Sequence, residues 1–242
     1  ALVLGLECGG SDATSGLAAN PALGVASDLL VAAGGTSILS ETPEIMGAEH
    51  LLARRAVDET TSKRLFEIVA QVEEGARRMG ADIRGAQPAP GNIAGGITTI
   101  EEKSLGCLYK AGTAPIQGVL DYAERPGGNG LWVMDTPGHD VESVTGMVAG
   151  GANIVVFTTG RGNPAGCAIA PVIKVTGNSS TYFNMEENMD INAGTIIEGT
   201  ETIEQVGQRI FDLMLAVARG KLTKAEELGH REFAITRIGP SL

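Results

Sequence analysis

The chain opens with Ala1-Leu2-Val3-Leu4-Gly5-Leu6-Glu7-Cys8-Gly9-Gly10-Ser11-Asp12, an apolar run that leads into a thiol, two carboxylates and a hydroxyl. Residues 1–6 predict a buried strand, and residues 7–12 predict a glycine-rich loop behind it. In α/β enzymes such loops bring polar groups to the carboxyl edge of a sheet, where ligands bind. The stretch therefore predicts an α/β fold and part of an active site.

The same order of an apolar run and a polar loop recurs four more times. These runs lie at residues 36–39, 131–134, 153–157 and 171–175, and helical patterns lie between them. Such alternation is typical of a mainly parallel, doubly wound, Rossmann-like sheet with helices on both faces. We therefore expect residues 1–242 to form a single α/β catalytic domain.

Helices are predicted from apolar spacing and from capping residues. Residues 60–79 and 201–219 carry apolar side chains on one helical face. Asn20-Pro21 and Thr42-Pro43 start two further helices, which are expected to end near residues 34 and 56. Residues 85–97 have no periodicity and are rich in glycine and proline, so they predict a hinge or active-site loop, with a passive linker as the alternative.

The composition excludes several classes of partner. The 242 residues are 43% hydrophobic and 19% charged, which suits a globular protein with a full core. Eighteen basic and 29 acidic side chains give a net charge of −11. Because nucleic acids and anionic membranes are held by clusters of Lys and Arg, we expect neither as a partner.

The cysteines and the apolar runs bear on compartment. Cys8, Cys107 and Cys167 form no CxxC pair, so they predict reduced thiols or metal ligands in the cytoplasm. No apolar stretch is expected to approach the roughly 18 residues of a membrane span. The chain begins with Ala1 inside an apolar run, so we expect it to be cut from a longer enzyme.

The loop around Cys8 is a candidate metal site. A single cysteine beside a turn is usually a small buried thiol. Here Glu7 and Asp12 flank it, and thiol, carboxylate and hydroxyl groups together can bind iron, zinc or manganese. Metal binding and direct catalysis both remain open for this loop.

Residues 135–142 place three carboxylates and an imidazole behind another predicted strand. A histidine beside an aspartate is often only a turn residue. The nearby Glu142 favours a role for His139 as a general acid/base or a ligand, since imidazole suits proton transfer near neutral pH.

Residues 158–162, Thr-Thr-Gly-Arg-Gly, predict an anion cradle. Hydroxyls, backbone amides and the Arg161 guanidinium can together hold a carboxylate. Phosphate is the rival ligand, but the spacing matches neither the phosphate-binding loop nor the dinucleotide fingerprint.

Two further polar segments are less decisive. Glu101-Glu102-Lys103-Ser104 follows Thr98-Thr99 and can be explained by helix capping alone. Residues 188–194 alternate polar and apolar side chains, which would place Asp190 and Asn192 on one side.

Taken together, an ordered series of motifs resembles the carboxyl-terminal region of the altronate dehydratase and galactarate dehydratase family. The series consists of Cys8-Gly-Gly-Ser-Asp12, Ala18-Ala-Asn-Pro-Ala22, Pro90-Gly-Asn92, Glu102-Lys103, Phe157-Thr-Thr-Gly-Arg-Gly162, Pro171-Val-Ile-Lys174 and Met189-Asp-Ile-Asn-Ala-Gly194. The resemblance spans nearly the whole chain. Residues 138–143 and Cys107 differ from the sequences of the best-known members. The resemblance therefore does not identify the substrate of this chain.

The resemblance implies a lyase that removes water from a 2-hydroxy sugar acid to give a 2-keto-3-deoxy acid. It implies a divalent metal, usually Fe2+, with Mn2+ or Zn2+ as alternatives. It also implies an amino-terminal domain or small subunit outside this chain, and we expect a homo-oligomer. A related branch resembles the large subunit of sulfolactate sulfo-lyase, which expels sulfite.

These expectations assign residues to three roles. Proton transfer is expected from Glu102, Lys103, His139 and Asp190. Binding of the anionic substrate is expected from Ser11, Asn92, Thr158, Thr159, Arg161 and Asn192. Metal binding is expected from Cys8, Asp12 and Glu142. As a base, Lys103 would need a pKa lowered by burial or by a cationic neighbour.

Two other classes of function remain as alternatives. The chain could be a phosphate- or nucleotide-binding domain, or a noncatalytic scaffold that kept the fold. Polar loops behind five predicted strands argue against a scaffold, because a scaffold does not need to concentrate reactive side chains at one edge.

Overall fold

Seven strands form one parallel sheet in the computed structural model of the protein, which describes residues 2–235. They are β1 (Val3–Cys8), β2 (Thr36–Leu39), β3 (Ile116–Leu120), β4 (Gly130–Met134), β5 (Ile154–Thr159), β6 (Val172–Thr176) and β7 (Ile191–Asn192). Neighbouring strands follow the order β3-β4-β2-β1-β5-β6-β7. The predicted α/β fold with a parallel sheet is confirmed, and all five predicted strands are present.

Helices occupy most of the connections between the strands. They are α1 (Asn20–Ala32), α2 (Glu49–Ala53), α3 (Glu59–Arg78), α4 (Ile83–Ala86), α5 (Pro90–Ala94), α6 (Ile100–Leu108), α7 (Asp140–Ala149), α8 (Ser179–Asn184), α9 (Ile203–Ala218) and α10 (Lys224–Glu227). A π-helical turn, Ser15–Ala19, leads into α1. The long helices predicted at 60–79 and 201–219 correspond to α3 and α9.

The two faces of the sheet carry separate apolar cores. Leu4 and Leu6 of β1 belong to the larger core, which packs under α1, α3 and α9. Gly5 faces the opposite side, where Met147 of α7 lies over the sheet in the smaller core. Because strand side chains alternate between faces, helices on both faces bury both sets, as predicted for a doubly wound sheet.

The helix predicted over residues 42–56 is interrupted. Thr42–Ile45 forms a single 3-10 turn, and the chain resumes a helical path only in α2. Met46 is extended and Gly47 has a φ of 84°. A left-handed residue at this point breaks the helix, so the prediction of one continuous helix is wrong.

The segment 85–97 is more ordered than its sequence indicates. It contains α5, and the Asn92 amide donates to the Ser11 carbonyl oxygen over 2.8 Å. The backbone N–H of Ala13 donates to the Gly95 carbonyl oxygen over 2.9 Å. These bonds attach α5 to the loop behind β1, and a role for the segment as a hinge or active-site loop stays a prediction.

The expectation that no apolar stretch approaches the length of a membrane span is wrong. Ser15–Ala32 is an 18-residue helical stretch that is long and apolar enough by length and composition. Its buried share is 56%, and Ala18, Ala22 and Leu23 are fully buried in the larger core. Packing of this kind is that of a core helix beside the sheet.

Candidate active site at the carboxyl edge of the sheet

The sheet reverses its direction of winding between β1 and β5. β1 connects to β2 on one side, whereas β5 connects to β6 on the other. The loops behind β1 and β5 diverge there, and the backbone N–H of Arg161 donates to the Gly10 carbonyl oxygen over 2.9 Å. Ligands of open α/β sheets bind at such a switch point, so this edge is the candidate site.

A cavity of about 310 Å³, here named the Arg161 pocket, opens at this edge. The side chains around it include Cys8, Ser11, Asn92, Lys103, Asp140 and Arg161. The guanidinium of Arg161 is exposed, and no carboxylate of residues 2–235 lies within the 4.0 Å that defines an ion pair with it. An arginine without an internal partner can bind an anion from solution.

A second cavity of about 230 Å³ shares Cys8, Ser11 and Lys103 with the Arg161 pocket. It also reaches Cys107 of α6 and Gly16 of the π-helical turn. π-Helical turns often occur at functional sites. Cys8 therefore lines both cavities.

Cys8 belongs to a buried cluster with Glu41, Cys107 and Lys110. The Cys8 sulfur lies 3.9 Å from that of Cys107 and 3.8 Å from Oε1 of Glu41. Lys110 Nζ donates to the Cys8 sulfur over 3.0 Å and also pairs with the Glu41 carboxylate. The hydrogen bond with Cys107, together with burial, raises the pKa of Cys8 well above its usual value, so the thiol stays protonated at neutral pH.

Glu41 has an unusual backbone as well as a buried side chain. It follows β2 with a φ of 67°, a region that residues other than glycine seldom adopt. Its N–H donates to Thr136 Oγ1 over 2.7 Å, and its carboxylate accepts from the Cys8 N–H over 3.0 Å. Such conformations persist at sites where the surroundings fix them.

On the α7 face of the sheet lies a second set of charged side chains. Glu7, Phe157 and Lys174 stand side by side on β1, β5 and β6, because their positions are in register. Lys174 Nζ lies 3.6 Å from the centre of the Phe157 ring and has no hydrogen-bond partner among residues 2–235. Burial lowers the pKa of Lys174 to about 7, although Asp140 and Glu7 act in the opposite direction.

Asp140, the first residue of α7, joins this set to the Arg161 pocket. Its carboxylate lines the pocket and accepts from the Asn163 amide over 2.6 Å. Burial raises the pKa of Asp140, while Lys174 and His139 oppose that effect. A carboxylate with a raised pKa in a pocket is suited to proton transfer.

Of the residues predicted from sequence, five meet in the Arg161 pocket: Cys8, Ser11, Asn92, Lys103 and Arg161. Lys103 pairs with Glu44 over 2.7 Å. Burial lowers the pKa of Lys103, but Glu44, together with Cys8 and Glu41, more than offsets burial and the pKa is raised. Lys103 is therefore an ammonium, which conflicts with a role as a base.

Three other predicted residues build the loops around the pocket. Asp12 accepts from the N–H of Thr14 over 2.9 Å and lines the second cavity. Thr158 is buried and donates to the Asn20 side chain over 2.6 Å. Thr159 is also buried, and its hydroxyl accepts from the Gly162 N–H over 3.0 Å. These bonds hold the strand ends in place.

Asp190 and Asn192 lie at the β7 side of the sheet and line neither cavity. Asp190 accepts from the N–H of Lys174 over 2.7 Å and from that of Lys224 over 3.0 Å. Asn192 accepts from the Gly194 N–H over 2.8 Å. Both side chains tie β6 and β7 to the segments that follow.

Glu102, His139 and Glu142 lie at helix starts. Glu102 is exposed, accepts from the Thr98 N–H over 2.7 Å and lines the second cavity. His139 precedes α7 and is exposed, and Glu142 lies in the first turn of that helix. Neither His139 nor Glu142 lines the two cavities.

Two groups of described side chains place three potential metal-binding atoms within 4.8 Å of one another. One is Cys8, Glu41 and Cys107, and the other is Glu7, Glu41 and Asp140. Asp12 and Glu142 belong to neither group. The thiols and carboxylate of the first group fit iron or zinc better than manganese. A metal there would displace the Lys110 ammonium from Cys8 and Glu41.

The site contains residues to which the sequence analysis assigned no catalytic, substrate-binding or metal-binding role. Glu41 and Glu44 follow a predicted strand, so the strand-end rule that identified Cys8 could have found them. Lys174 stands out as a charged residue within an apolar run. Lys110 gives no such signal, because it follows an ordinary helical pattern.

The fold and the site define a doubly wound α/β protein with a pocket at its switch point that contains an arginine. Residues 1–241 match the family described as D-galactarate/Altronate dehydratase, C-terminal, and the chain belongs to this family. The resemblance expected from the motifs is confirmed.

Three curated relatives match nearly the whole chain. Galactarate dehydratase (L-threo-forming) of Escherichia coli (strain K12) is 45% identical over 99% of this chain and 46% of its own length. Altronate dehydratase of Bacillus subtilis (strain 168) is 39% identical over 100% of this chain and 48% of its own. (2R)-sulfolactate sulfo-lyase subunit beta of Chromohalobacter salexigens is 40% identical over 96% of this chain and 60% of its own length. The chain thus spans about half the length of the two dehydratases.

Proposed function

We propose that this chain binds the substrate and transfers protons in a lyase acting on a 2-hydroxy sugar acid such as altronate or galactarate. The reaction removes water by β-elimination and gives a 2-keto-3-deoxy acid. The observation that carries the proposal is the Arg161 pocket, where an arginine with no carboxylate partner among residues 2–235 shares the lining with a carboxylate, an ammonium and a thiol. Family membership supports the same chemistry.

Arg161 binds the carboxylate of the substrate through its paired N–H groups. Loss of the α-proton sends negative charge onto that carboxylate. A guanidinium already in place stabilises the developing charge more than it stabilises the bound substrate, which accelerates the step.

Asp140 accepts the α-proton, because its raised pKa makes it a stronger base than a solvated carboxylate. The C–O bond at the β-carbon then breaks. The Lys103 ammonium, held by Glu44, donates the proton that lets the hydroxyl leave as water. The resulting enol converts to the 2-keto acid.

A divalent metal, with Fe2+ first and Zn2+ or Mn2+ as alternatives, would be held by Cys8, Glu41 and Cys107. When bound, it supplies Lewis-acid charge to substrate oxygens. The donor types of these three side chains support this assignment, in which Glu41 and Cys107 replace the sequence-based choice of Asp12 and Glu142.

The second candidate is a sulfo-lyase that releases sulfite and pyruvate from sulfolactate. The 40% identity to a sulfo-lyase subunit favours it. Elimination there begins with the same α-proton and differs only in the leaving group. For either reaction we propose that the chain works with a further domain or subunit, since its curated relatives are longer. We also propose a homo-oligomer and a cytoplasmic location.

The test is a substrate screen with the full-length protein and added Fe2+. Altronate, galactarate and sulfolactate are each incubated with it, and both 2-keto acid and sulfite are measured. A keto acid without sulfite supports the dehydratase, and sulfite supports the sulfo-lyase. If a wider set of 2-hydroxy acids also yields neither product, the proposed chemistry is wrong.

A further inference from the structure

Gly91, the second residue of α5, lies directly against the guanidinium of Arg161. A Cβ atom built on Gly91 would overlap Nη1 of Arg161 and would lie 3.0 Å from its Cζ. Outside its chain neighbours and the backbone of its own helix, the three atoms of residues 2–235 nearest to that Cβ all belong to the Arg161 guanidinium. The absence of a side chain at residue 91 therefore creates the space that the guanidinium fills.

The backbone gives no other reason for glycine at this position. Gly91 is absent from the glycines with positive φ, so its conformation is open to any residue. A glycine inside a helix costs about 1 kcal/mol relative to alanine. The contact with Arg161 is what distinguishes residue 91.

Hydrogen bonds to backbone carbonyl oxygens hold both sides of this contact in place. The Asn92 amide holds α5 to the Ser11 carbonyl oxygen, and the Arg161 N–H donates to the Gly10 carbonyl oxygen. No carboxylate of the described chain, residues 2–235, forms an ion pair with the guanidinium. Its position in the pocket is thus determined by packing on α5 rather than by an ionic partner.

We propose that Gly91 is a positioning residue that seats the Arg161 guanidinium against α5 and aims it at the substrate carboxylate. The inference rests on the proposed function, in which Arg161 binds that carboxylate. Residues 85–97 would then act in substrate binding, because the α5 backbone forms the surface on which the Arg161 guanidinium lies. Any side chain at residue 91 displaces the guanidinium and weakens its interaction with the substrate carboxylate.

The test compares Gly91→Ala with the parent in the full-length enzyme and the substrate that the screen identifies. Loss of one well-placed charged hydrogen bond predicts a fall in kcat/KM of about 10-fold to 100-fold. The variant should fold normally, since the obstructing atoms are the far end of a flexible side chain. Gly75→Ala is the matched control, because a Cβ on that α3 glycine meets no atom of another part of the described chain, residues 2–235, within 4 Å.

Arg161→Ala separates failure of this inference from failure of the proposed function. If Arg161→Ala lowers kcat/KM and Gly91→Ala does not, the role of Gly91 is refuted and the carboxylate-binding role of Arg161 stands. If Arg161→Ala leaves both kcat and KM unchanged, both fail. The double variant should match Arg161→Ala alone, and a further loss would show that Gly91 acts by another route.

A crystal structure of Gly91→Ala gives a readout without activity. The expected result is a displaced guanidinium with α5 unmoved. A guanidinium in its original place, with α5 shifted to accommodate the new methyl group, would overturn the proposal.

Discussion

Lys110 donates a hydrogen bond to the Cys8 sulfur over 3.0 Å and at the same time pairs with the carboxylate of Glu41. All three side chains are buried, and Lys110 is fully so. No other basic side chain among residues 2–235 forms an ion pair with Glu41. A single ammonium therefore compensates the buried carboxylate beside the thiol.

Lys110→Met is expected to lower the free energy of unfolding by about 3–5 kcal/mol, because it leaves the Glu41 carboxylate buried without its counter-charge. Urea unfolding measures the loss. Adding Glu41→Gln removes the uncompensated charge, so the double variant should recover part of the stability. Equal losses with and without Glu41→Gln would show that the pair is not coupled.

Cys8→Ala is expected to lower both metal content and turnover of the full-length enzyme, because the thiol is one of three proposed ligands beside the pocket. Metal analysis and kcat are measured on the same preparation after loading with Fe2+. Cys167→Ala is the control, since Cys167 lies outside both groups of potential ligands. Normal metal and normal rate in Cys8→Ala would remove Cys8 from the site.

Asp140→Asn is expected to lower kcat by about 100-fold or more while KM changes little, because the amide keeps the shape of the carboxylate and cannot accept the proton. Steady-state kinetics with the identified substrate measures kcat and KM separately. His139→Asn tests the neighbouring residue predicted from sequence, which lies outside the pocket. A large fall in kcat for His139→Asn alone would transfer the proton-transfer role to the histidine.

The meeting of Cys8 and Arg161 could be predicted because it depends on a local rule. Each follows an apolar run, and the carboxyl ends of parallel strands share one edge of a sheet. This rule predicts that both residues lie at the carboxyl edge of the sheet, but it does not predict the order of the strands. Asp190 immediately precedes β7 and Asn192 is the last residue of that strand, which lies three strands from β1. At about 4.8 Å per strand, this offset places them roughly 14 Å to one side.

The buried charges could not be predicted in the same way. Lys110 reaches Cys8 across 102 positions of sequence, and that approach depends on how α6 packs beside the π-helical turn. β7 has only two residues, too few for a periodic pattern. Tertiary packing determines both features, and periodicity reports only on local structure.

Gly24→Ala is expected to destabilise the fold severely, by about 3 kcal/mol or more. A Cβ on this α1 glycine would overlap the Tyr109 carbonyl oxygen and would lie 3.0 Å from the Gly112 backbone nitrogen. Backbone atoms cannot move aside as a side chain can. Thermal and urea unfolding measure the effect, with Gly75→Ala expected to be neutral or slightly stabilising. A stable Gly24→Ala would show that α1 can shift away from this segment.

Lys174→Met is expected to stabilise the protein most at low pH. The pKa of Lys174 is about 7 in the folded chain, against a usual value of 10.5. Between these values the unfolded chain binds a proton that the folded chain does not, so stability rises with pH across this window. Below pH 7 the folded chain must carry a buried ammonium. Removing the amine abolishes that penalty, which is at most about 5 kcal/mol.

Guanidinium unfolding of parent and Lys174→Met at about pH 6, pH 8 and pH 10 measures this difference. The gain from the substitution should be largest at the lowest pH and should shrink as the amine of the parent loses its proton. The exposed Lys221→Met should show no such trend. The same variant should also change catalysis, because the Lys174 ammonium lowers the pKa of Asp140. Without that charge the pKa of Asp140 rises, so the acid limb of the kcat–pH profile should shift to higher pH. A pH-independent gain in stability would mean that Lys174 is not titrating near neutrality.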